Sequence, residues 1–259
     1  MFTEKLSGHQ EEEVMFNVAW EKSQHNRVIE GLKAGRPISE IISEVPGFLE
    51  YFSHFLDTLD CSDGRVVSGR KMGLAGEGIL LSPEDWQILV AALKEKGIKI
   101  TGHDNCGAAG IAHPGNPESD RYGYQTARKL ATETGSEYGE VHKEDFRSPF
   151  HDERALVVDE SGRFDCANWP EFPAQFISSA PFFGLSDNYL KTEIAALANI
   201  ALGDHGFGKR FSEDNPFYII VSATTPEKLN HFKAVASEAA SVFGSRVKVD
   251  GFLAPDKTE

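Results

Sequence analysis

Two short stretches of the sequence bring together side chains that could bind a metal and act on a substrate. The first reads Cys-Ser-Asp-Gly-Arg from Cys61, and the second reads His-Asp-Asn-Cys-Gly from His103. Each follows an apolar run, so we expect each at the carboxyl end of a strand, where open α/β sheets bind ligands. If the two strands are neighbours, about 5 Å apart, the side chains of Cys61, His103 and Cys106 converge on one point.

This ligand set predicts a catalytic zinc site. Two thiolates and one imidazole fill three tetrahedral positions around Zn²⁺ and leave the fourth for water, whereas a structural site has four protein ligands. Zinc lowers the pKa of its bound water to about 7, which makes hydroxide available near neutral pH. We therefore expect Cys61, His103 and Cys106 to bind one Zn²⁺ ion.

Asp63 and Arg65 are the predicted catalytic pair beside this metal. Asp63 lies two residues after Cys61, and Arg65 lies two residues further on. In an extended segment the three side chains therefore point to the same side. The fork-shaped guanidinium of Arg65 would keep the Asp63 carboxylate ionised and fixed. Asp63 could then accept the hydrogen bond of the hydroxide or compete with water as the fourth ligand.

The segments around the two stretches alternate between predicted strands and helices. A strand over 55–59 leads into Cys61, a helix begins at Ser82-Pro83 and runs to Gly97, and a strand over 98–101 leads to His103. This order is typical of a parallel sheet with right-handed crossovers. Further strands are predicted over 154–159, 217–221 and 247–249, and further helices over 122–134, 190–202 and 225–243. The sequence reveals no internal repeat, and we expect one compact α/β domain with added elements.

The first fifty residues are predicted to form a helical arm. Residues 10–45 carry apolar side chains at roughly helical spacing, with stops at Gly35 and Pro37 and a second, shorter helix over 38–45. We expect this arm to pack on the core or on a second subunit. The spaced apolar residues are Val14, Val18, Trp20, Val28, Ile29 and Leu32. The predicted organisation is an N-terminal helical arm over 1–50 and a zinc-binding α/β catalytic domain over 51–259, which ends in a strand-helix-strand addition.

Composition limits the possible partners and compartment. The 40 acidic and 26 basic residues give a formal charge of −14, which would repel nucleic acid and anionic membranes. Three cysteines are too few for a disulfide framework and suit a reducing compartment. The sequence has neither a signal-peptide pattern nor an apolar stretch of membrane-spanning length. We therefore expect a cytoplasmic protein that binds neither nucleic acid nor membrane.

The two chemical stretches resemble the signature of the β-class carbonic anhydrases, Cys-x-Asp-x-Arg followed by His-x-x-Cys-Gly. The similarity is clearest over residues 55–110, where 73–78 resembles the Arg-Asn-Ala-Gly loop of that family without its Asn. It extends more weakly to a strand over 155–159 and a hairpin over 159–163. Only 41 residues separate Cys61 from His103, fewer than the family usually has, and the segment after Ser178 has no recognised counterpart.

This resemblance implies a zinc enzyme that reversibly hydrates carbon dioxide to bicarbonate and a proton. It implies Cys61, His103 and Cys106 as the zinc ligands and Asp63 with Arg65 as the catalytic dyad. It also implies a mostly parallel sheet flanked by helices. A homodimer is the implied minimum unit, with each active site near the subunit interface.

Three other interpretations of the same residues stay open. The same zinc site could hydrolyse carbon disulfide or carbonyl sulfide, or it could be a structural zinc in a non-catalytic oligomerisation or shell module. A cysteine nucleophile at Cys61 paired with His103 is disfavoured, because Cys106 would have no role.

Cys166 is expected to be inert. Five histidines could transfer protons, although each is expected to be a solvated surface residue: His54, His113, His142, His151 and His205.

Overall fold

The computed structural model describes residues 8–66, 69–94, 96–204 and 206–255 as an α/β protein. The helices in these ranges are α1 Gly8–Gln24, α2 Arg27–Lys33, α3 Ile38–Ser43, α4 Pro83–Lys94, α5 Gly107–Ala112, α6 Ser119–Thr134, α7 Asp187–Leu202 and α8 Pro226–Ala240. The strands are β1 Thr58–Asp60, β2 Lys71–Gly73, β3 Lys99–His103, β4 Tyr138–Val141, β5 Ala155–Asp159, β6 Gln175–Ser178, β7 Phe217–Ala223 and β8 Val247–Leu253. None of the helices in the described ranges combines the length and apolar character needed to cross a bilayer.

The strands form two four-stranded sheets with the same topology. The first sheet has the order β2-β1-β3-β4 and the second has the order β6-β5-β7-β8. Every pairing in both sheets is parallel, which confirms the predicted α/β class. In each half, helices connect the second strand to the third and the third to the fourth. The repeat lies in the strand order and not in a visible sequence period.

The two sheets meet edge to edge between β2 and β6. The backbone N–H of Ser179 donates to the carbonyl of Gly73 at 2.7 Å, and the N–H of Ile177 donates to the carbonyl of Ser62 at 3.0 Å. A Cβ atom at Gly73 would lie 2.2 Å from the Ile177 carbonyl oxygen, and one at Gly64 would lie 2.0 Å from the Gln175 carbonyl oxygen. Only glycine fits at these two positions, since real Cβ atoms do not approach other atoms so closely.

Strand β5 is buried on both faces, as strands of parallel sheets are. Leu156 and Val158 belong to a core that continues into the first sheet and its helices. Ala155 and Val157 face the opposite way, into a core covered by α2 and α3. The second part of the predicted arm therefore packs on the chain's own second sheet. In α1, by contrast, Val14 and Val18 are exposed.

Several elements differ from the predictions for local reasons. The arm helix breaks at Asn26, whose side chain accepts hydrogen bonds from the first N–H groups of α2. Strands β2, β4 and β6 were not predicted, because they are three or four residues long and lack a continuous apolar run. The hairpin predicted over 159–163 is wrong: both neighbours of β5 are parallel to it, so this segment is a loop.

We predict that Gly73→Ala lowers the free energy of unfolding by about 3 kcal/mol or more, the upper end of the cost of overpacking. The added methyl group would meet a backbone carbonyl, which cannot turn aside as a side chain can. Denaturant unfolding measures the change. Gly110→Ala in α5 is the control, because a Cβ atom there meets nothing within 4 Å and alanine favours a helix by about 0.5–1 kcal/mol. Equal stability of the two variants would contradict the close packing of the sheet edges.

Candidate metal centre

The three predicted ligands converge at the carboxyl ends of β1 and β3. Cys61 follows β1, His103 ends β3, and Cys106 immediately precedes α5. Strands β1 and β3 are direct neighbours. One ligand atom from each of Cys61, His103 and Cys106 lies within 4.8 Å of the other two, and all three residues are buried. This geometry is compatible with a zinc site and confirms that the two sequence stretches meet.

The imidazole of His103 is oriented for metal binding. Its Nδ1 lies 2.6 Å from the Asp104 carbonyl oxygen, so Nδ1 carries the proton and donates it. The other nitrogen, Nε2, is buried and has no hydrogen-bond partner among the described residues. A buried nitrogen of this kind is costly unless something binds it. A metal ligated through Nε2, with Nδ1–H held by a carbonyl, satisfies both nitrogens.

Backbone contacts hold the two cysteines in place. The N–H of Gly76 donates to the Cys61 sulfur at 3.2 Å. Asp120, in α6, accepts hydrogen bonds from the N–H groups of Asn105 and Cys106 at 2.9 and 3.0 Å. This carboxylate fixes the tight turn through Asn105, whose φ of 52° is left-handed. The turn from β3 into α5 is thereby shaped to present both His103 and Cys106.

The ligands also influence one another's protonation. In the metal-free site a hydrogen bond from the Cys106 thiol, opposed by burial, holds the pKa of Cys61 well below its usual range. Burial opposes the charged form of His103, yet the Cys61 thiolate raises the pKa of His103 to about 10. The cluster thus stabilises a thiolate at Cys61, whereas the hydrogen bond to Cys61 and burial raise the pKa of Cys106 well above its usual range. A metal that binds all three residues would therefore displace protons from Cys106 and His103.

Asp63 and Arg65 form the predicted pair. The Arg65 guanidinium donates from Nε to Oδ1 of Asp63 at 3.0 Å and from Nη2 to Oδ2 at 2.7 Å. The Arg65 backbone N–H adds a third bond at 2.9 Å. Burial disfavours ionisation, but these hydrogen bonds keep the pKa of Asp63 well below its usual range. Asp63 is therefore a buried, fixed carboxylate beside the ligand cluster.

No protein-family model, no curated protein and no solved structure matches this chain.

Two buried charged residues that support the site were not predicted from the sequence. The Lys71 ammonium donates to the carbonyl oxygens of Cys61, Asp63 and Val66 at 3.1, 2.7 and 2.7 Å, which fixes the loop that carries the dyad. Glu193, in α7, accepts hydrogen bonds from the Ser62 hydroxyl and the Ala75 N–H. Its burial raises the pKa of Glu193 to about 7. The sequence marks neither residue, because β2 has only three residues and α7 carries other charged side chains, Asp187 and Lys191.

A third carboxyl group lies beneath the ligands in a strained loop. Glu77 is buried, and neither of its oxygens has a hydrogen-bond partner among the described residues. It has a left-handed φ of 51° between Gly76 and Gly78, which are also left-handed. Burial and the nearby Cys61 thiolate raise the pKa of Glu77 well above its usual range. Burial and the Cys61 thiolate therefore both oppose a negative charge on Glu77.

The second half of the chain contributes His151 and Glu153 to the same site. His151 Nδ1 lies 3.2 Å from Glu153 Oε2 and 3.9 Å from Asp63 Oδ1. The expectation that His151 is a solvated surface residue is wrong, because it is only 7% exposed. Of the other histidines considered, His54 and His142 are exposed, His113 stacks on Tyr122, and His205 lies outside the described residues.

A cavity of about 940 Å³ opens beside this cluster. Cys106, Arg65 and His151 contribute to its wall, together with Phe150 from the same segment as His151. Phe16 of α1 also lines the cavity and packs on Phe150, with the two ring centroids 5.1 Å apart. The N-terminal helix therefore forms part of the cavity that leads to the ligands.

In the second sheet, the position that corresponds to the ligand cluster of the first sheet holds an ion pair. Strand β5 ends in Asp159 as β1 ends in Asp60, so Glu160 stands where Cys61 stands in the first half. Glu160 accepts hydrogen bonds from the Thr224 N–H and hydroxyl at 2.9 and 2.7 Å and from the Lys228 ammonium at 2.5 Å. In the second half the residue that follows the first strand is therefore paired with an ammonium group.

We predict about one zinc per chain, bound by sulfur and nitrogen. X-ray absorption should give Zn–S near 2.3 Å and Zn–N near 2.0 Å. Cys106→Ser should lose most of the metal, because a neutral hydroxyl is a poor replacement for a thiolate. Cys166→Ser is the matched control, since Cys166 is also buried and free but is not one of the clustered ligands. Metal retained in full by the Cys106 variant would refute the ligand assignment.

Proposed function

We propose that this protein is a zinc enzyme that reversibly hydrates carbon dioxide to bicarbonate and a proton. The observation that carries the proposal is a three-ligand Cys61, His103 and Cys106 cluster beside a buried carboxylate clamped by Arg65. This combination matches the catalytic zinc pattern of three protein ligands. It also matches the Cys-x-Asp-x-Arg and His-x-x-Cys-Gly motifs by which the chain resembles the β-class carbonic anhydrases.

The ligand set fits Zn²⁺, which when bound lowers the pKa of water to about 7 and so supplies a nucleophile near neutral pH. Asp63 would accept a hydrogen bond from the attacking water and orient it. Three N–H groups of Arg65 donate to Asp63, and the Nε–H group is shared between both carboxylate oxygens. Arg65 therefore holds the plane of the Asp63 carboxylate fixed.

The cavity wall suits a small neutral substrate. Phe16, Phe150, Ile111 and Ile200 give it apolar surface, and its polar lining includes Arg65, His151 and the acidic residues Glu13, Asp120 and Asp204. An apolar molecule such as carbon dioxide loses little solvation on entering such a space, whereas the bicarbonate anion regains hydration on leaving. Carbon disulfide and carbonyl sulfide share this apolar character and remain the alternative substrates on the same site.

We further propose a homodimer in which the outer face of α1 contacts a second copy of the chain. Val14, Met15 and Val18 are 49%, 51% and 61% exposed and form one apolar patch. Light scattering of Val14→Lys/Val18→Lys beside the parent tests this proposal, because the two charges would abolish the contact. A parent protein that is monomeric at micromolar concentration would refute it.

The chemistry of the cysteines supports a reducing compartment such as the cytoplasm. All three are free and buried. Oxidation of Cys61 or Cys106 would remove the thiolates that the metal requires. The site is therefore suited to conditions that keep thiols reduced.

We predict that Arg65→Ala retains its zinc and loses about 100-fold or more in the rate of carbon dioxide hydration. Without the guanidinium Asp63 moves, and small misplacements of a catalytic group can cost about 100-fold. Stopped-flow hydration assays with parallel zinc analysis measure both quantities. The matched control is Arg70→Ala, which removes an exposed pair with Asp57, the residue just before β1.

Two outcomes would contradict this assignment. An Arg65 variant that hydrates carbon dioxide at the parent rate would refute the role of the dyad. A zinc-loaded parent that is inactive with carbon dioxide but hydrolyses carbon disulfide or carbonyl sulfide would replace the proposed substrate while keeping the site.

A further inference from the structure

We propose that Asp63, His151 and Glu153 form a second metal site, which takes a divalent cation such as Zn²⁺ more weakly than the first site and thereby inhibits the enzyme. This group shares no side chain with the cysteine and histidine ligands of the first site. The cation site follows from its own ligand geometry, whereas the inhibition rests on the proposed function, in which Asp63 orients the attacking water.

The three side chains are close enough to bind one ion. One ligand atom from each lies within 4.8 Å of the other two, and all three residues are buried. His151 Nδ1 lies 3.2 Å from Glu153 Oε2 and 3.9 Å from Asp63 Oδ1. At metal–ligand distances of about 2.0–2.2 Å, neighbouring ligand atoms lie roughly 3–3.5 Å apart. Small side-chain shifts would therefore bring the three atoms around one cation.

Glu153 has an oxygen that the protein does not satisfy. Its Oε2 lies within hydrogen-bond distance of His151 Nδ1, but its Oε1 is buried and has no hydrogen-bond partner among the described residues. An unpaired buried carboxylate oxygen costs free energy. Carboxylates bind divalent cations through one or both oxygens, so a cation bound by Glu153 would remove this cost. This oxygen distinguishes the group from a simple ion pair.

The charges within the group call for a positive partner. Asp63 and Glu153 are negative and Arg65 is positive, so with His151 neutral one negative charge remains buried. Uncompensated buried charge is costly. A proton on His151 Nδ1 compensates it, and a divalent cation at the same nitrogen can take its place. The Nδ1 proton then leaves to the solvent, while Nε2 keeps its own proton.

The guanidinium groups near this site already have carboxylate partners. Arg65 is held by Asp63 through Nε and Nη2. Arg147 donates from Nη1 and Nη2 to the two carboxylate oxygens of Asp152 at 3.0 and 2.6 Å. The Arg147 charge is therefore compensated by a neighbour outside the group. A cation at the proposed site competes with Arg65 alone for Asp63.

The ligand chemistry favours Zn²⁺ but predicts weaker binding than at the first site. Imidazole suits zinc and other transition metals, whereas thiolates, which the second site lacks, select zinc more strongly. Mg²⁺ prefers oxygen ligands and dehydrates reluctantly, so it should bind poorly here. His151 lines the wall of the large cavity, which gives an ion a route to the group.

Occupation of this site would prevent Asp63 from acting in the reaction. The carboxylate oxygen nearest His151 is Oδ1, which Arg65 also holds through its backbone N–H and its Nε. A cation on Oδ1 pulls the carboxylate away from the position in which it accepts the hydrogen bond of the attacking water. Small misplacements of a catalytic group cost about 100-fold in rate. Excess zinc should therefore inhibit hydration by about this factor at saturation.

The first test measures binding without using activity. Protein that already holds one zinc per chain is titrated calorimetrically with further Zn²⁺, and it should bind a second equivalent that Mg²⁺ does not replace. Glu153→Gln keeps the shape of the side chain and should weaken this second step by about 100-fold or more, because even outer-shell changes cost about 10–100-fold in metal affinity. The first zinc should be retained.

The matched control is His231→Ala. His231 Nε2 lies 3.0 Å from Asp187 Oδ1 in an exposed pair, but the pair belongs to no three-ligand group among the described residues. This variant should bind the second zinc as the parent does. Excess zinc should also shift the ring resonances of His151 in NMR spectra of the parent and leave them unchanged in Glu153→Gln. Circular dichroism of each variant reports whether it folds.

The activity test uses the zinc-loaded parent. Its rate of carbon dioxide hydration should fall about 100-fold as the second site saturates, and gel filtration that removes the excess zinc should restore it. A parent that binds no second zinc would overturn the inference. So would a second zinc that Glu153→Gln does not weaken, because that ion would be an adventitious one elsewhere on the surface.

The inhibitory role and the proposed function fail in different ways. A second zinc that depends on Glu153 but leaves the hydration rate unchanged would refute the inhibition. A zinc-loaded parent that does not hydrate carbon dioxide at any zinc concentration would refute the proposed function, while calorimetry and NMR would still decide whether the second site exists.

Discussion

The site depends on how closely the edge of the second sheet packs against the loop that carries Asp63 and Arg65. At Gly64, between these two residues, the Gln175 carbonyl leaves no room for a side chain. The close packing at this position also places Glu153 beside Gly64. A Cβ atom on Gly64 would lie 3.0 Å from Glu153 Oε1. This packing buries the Asp63–Arg65 pair and excludes water that would otherwise compete for its hydrogen bonds. The dyad is thus fixed by the second half of the chain as well as by its own loop.

The repeated topology explains how one chain can build a site from two halves. Both halves place polar residues at the end of their first strand, but among the described residues only the first half has a group of candidate metal ligands there. In the second half Glu160, Thr224 and Lys228 satisfy one another, so that point needs no ion to balance its charge. The second half instead supplies groups to the first: Glu193 holds Ser62 and Ala75, and His151 approaches Asp63.

The sequence predicted that the three candidate ligands cluster and that Asp63 pairs with Arg65, because both arrangements follow from short spacings. Cys61, Asp63 and Arg65 alternate along one extended segment, and His103 and Cys106 are separated by one turn, so local geometry brings each set together. The long helices α4, α6, α7 and α8 were predicted from their caps and apolar spacing, within a few residues at each end.

The supporting residues could not be predicted from the sequence, because their roles depend on contacts across the fold. Lys71 and Glu193 act through side chains that cross between elements, and His151 acts through a loop far from Asp63 in the chain. Strand β6 has four residues, and it is recognisable as a strand only from its pairing with β5. The sequence offers no local signal for contacts of this kind.

The balance of buried charge around Asp63 connects these parts. Two carboxylates, Asp63 and Glu153, face one permanent cation, Arg65, and one titratable ring, His151. With His151 protonated the four groups sum to zero, and with His151 neutral they carry one net negative charge. Buried charge is costly unless it is compensated, so the group favours taking up one proton. Because Arg65 keeps the pKa of Asp63 low, Asp63 stays ionised, and the two carboxylates raise the pKa of His151 instead.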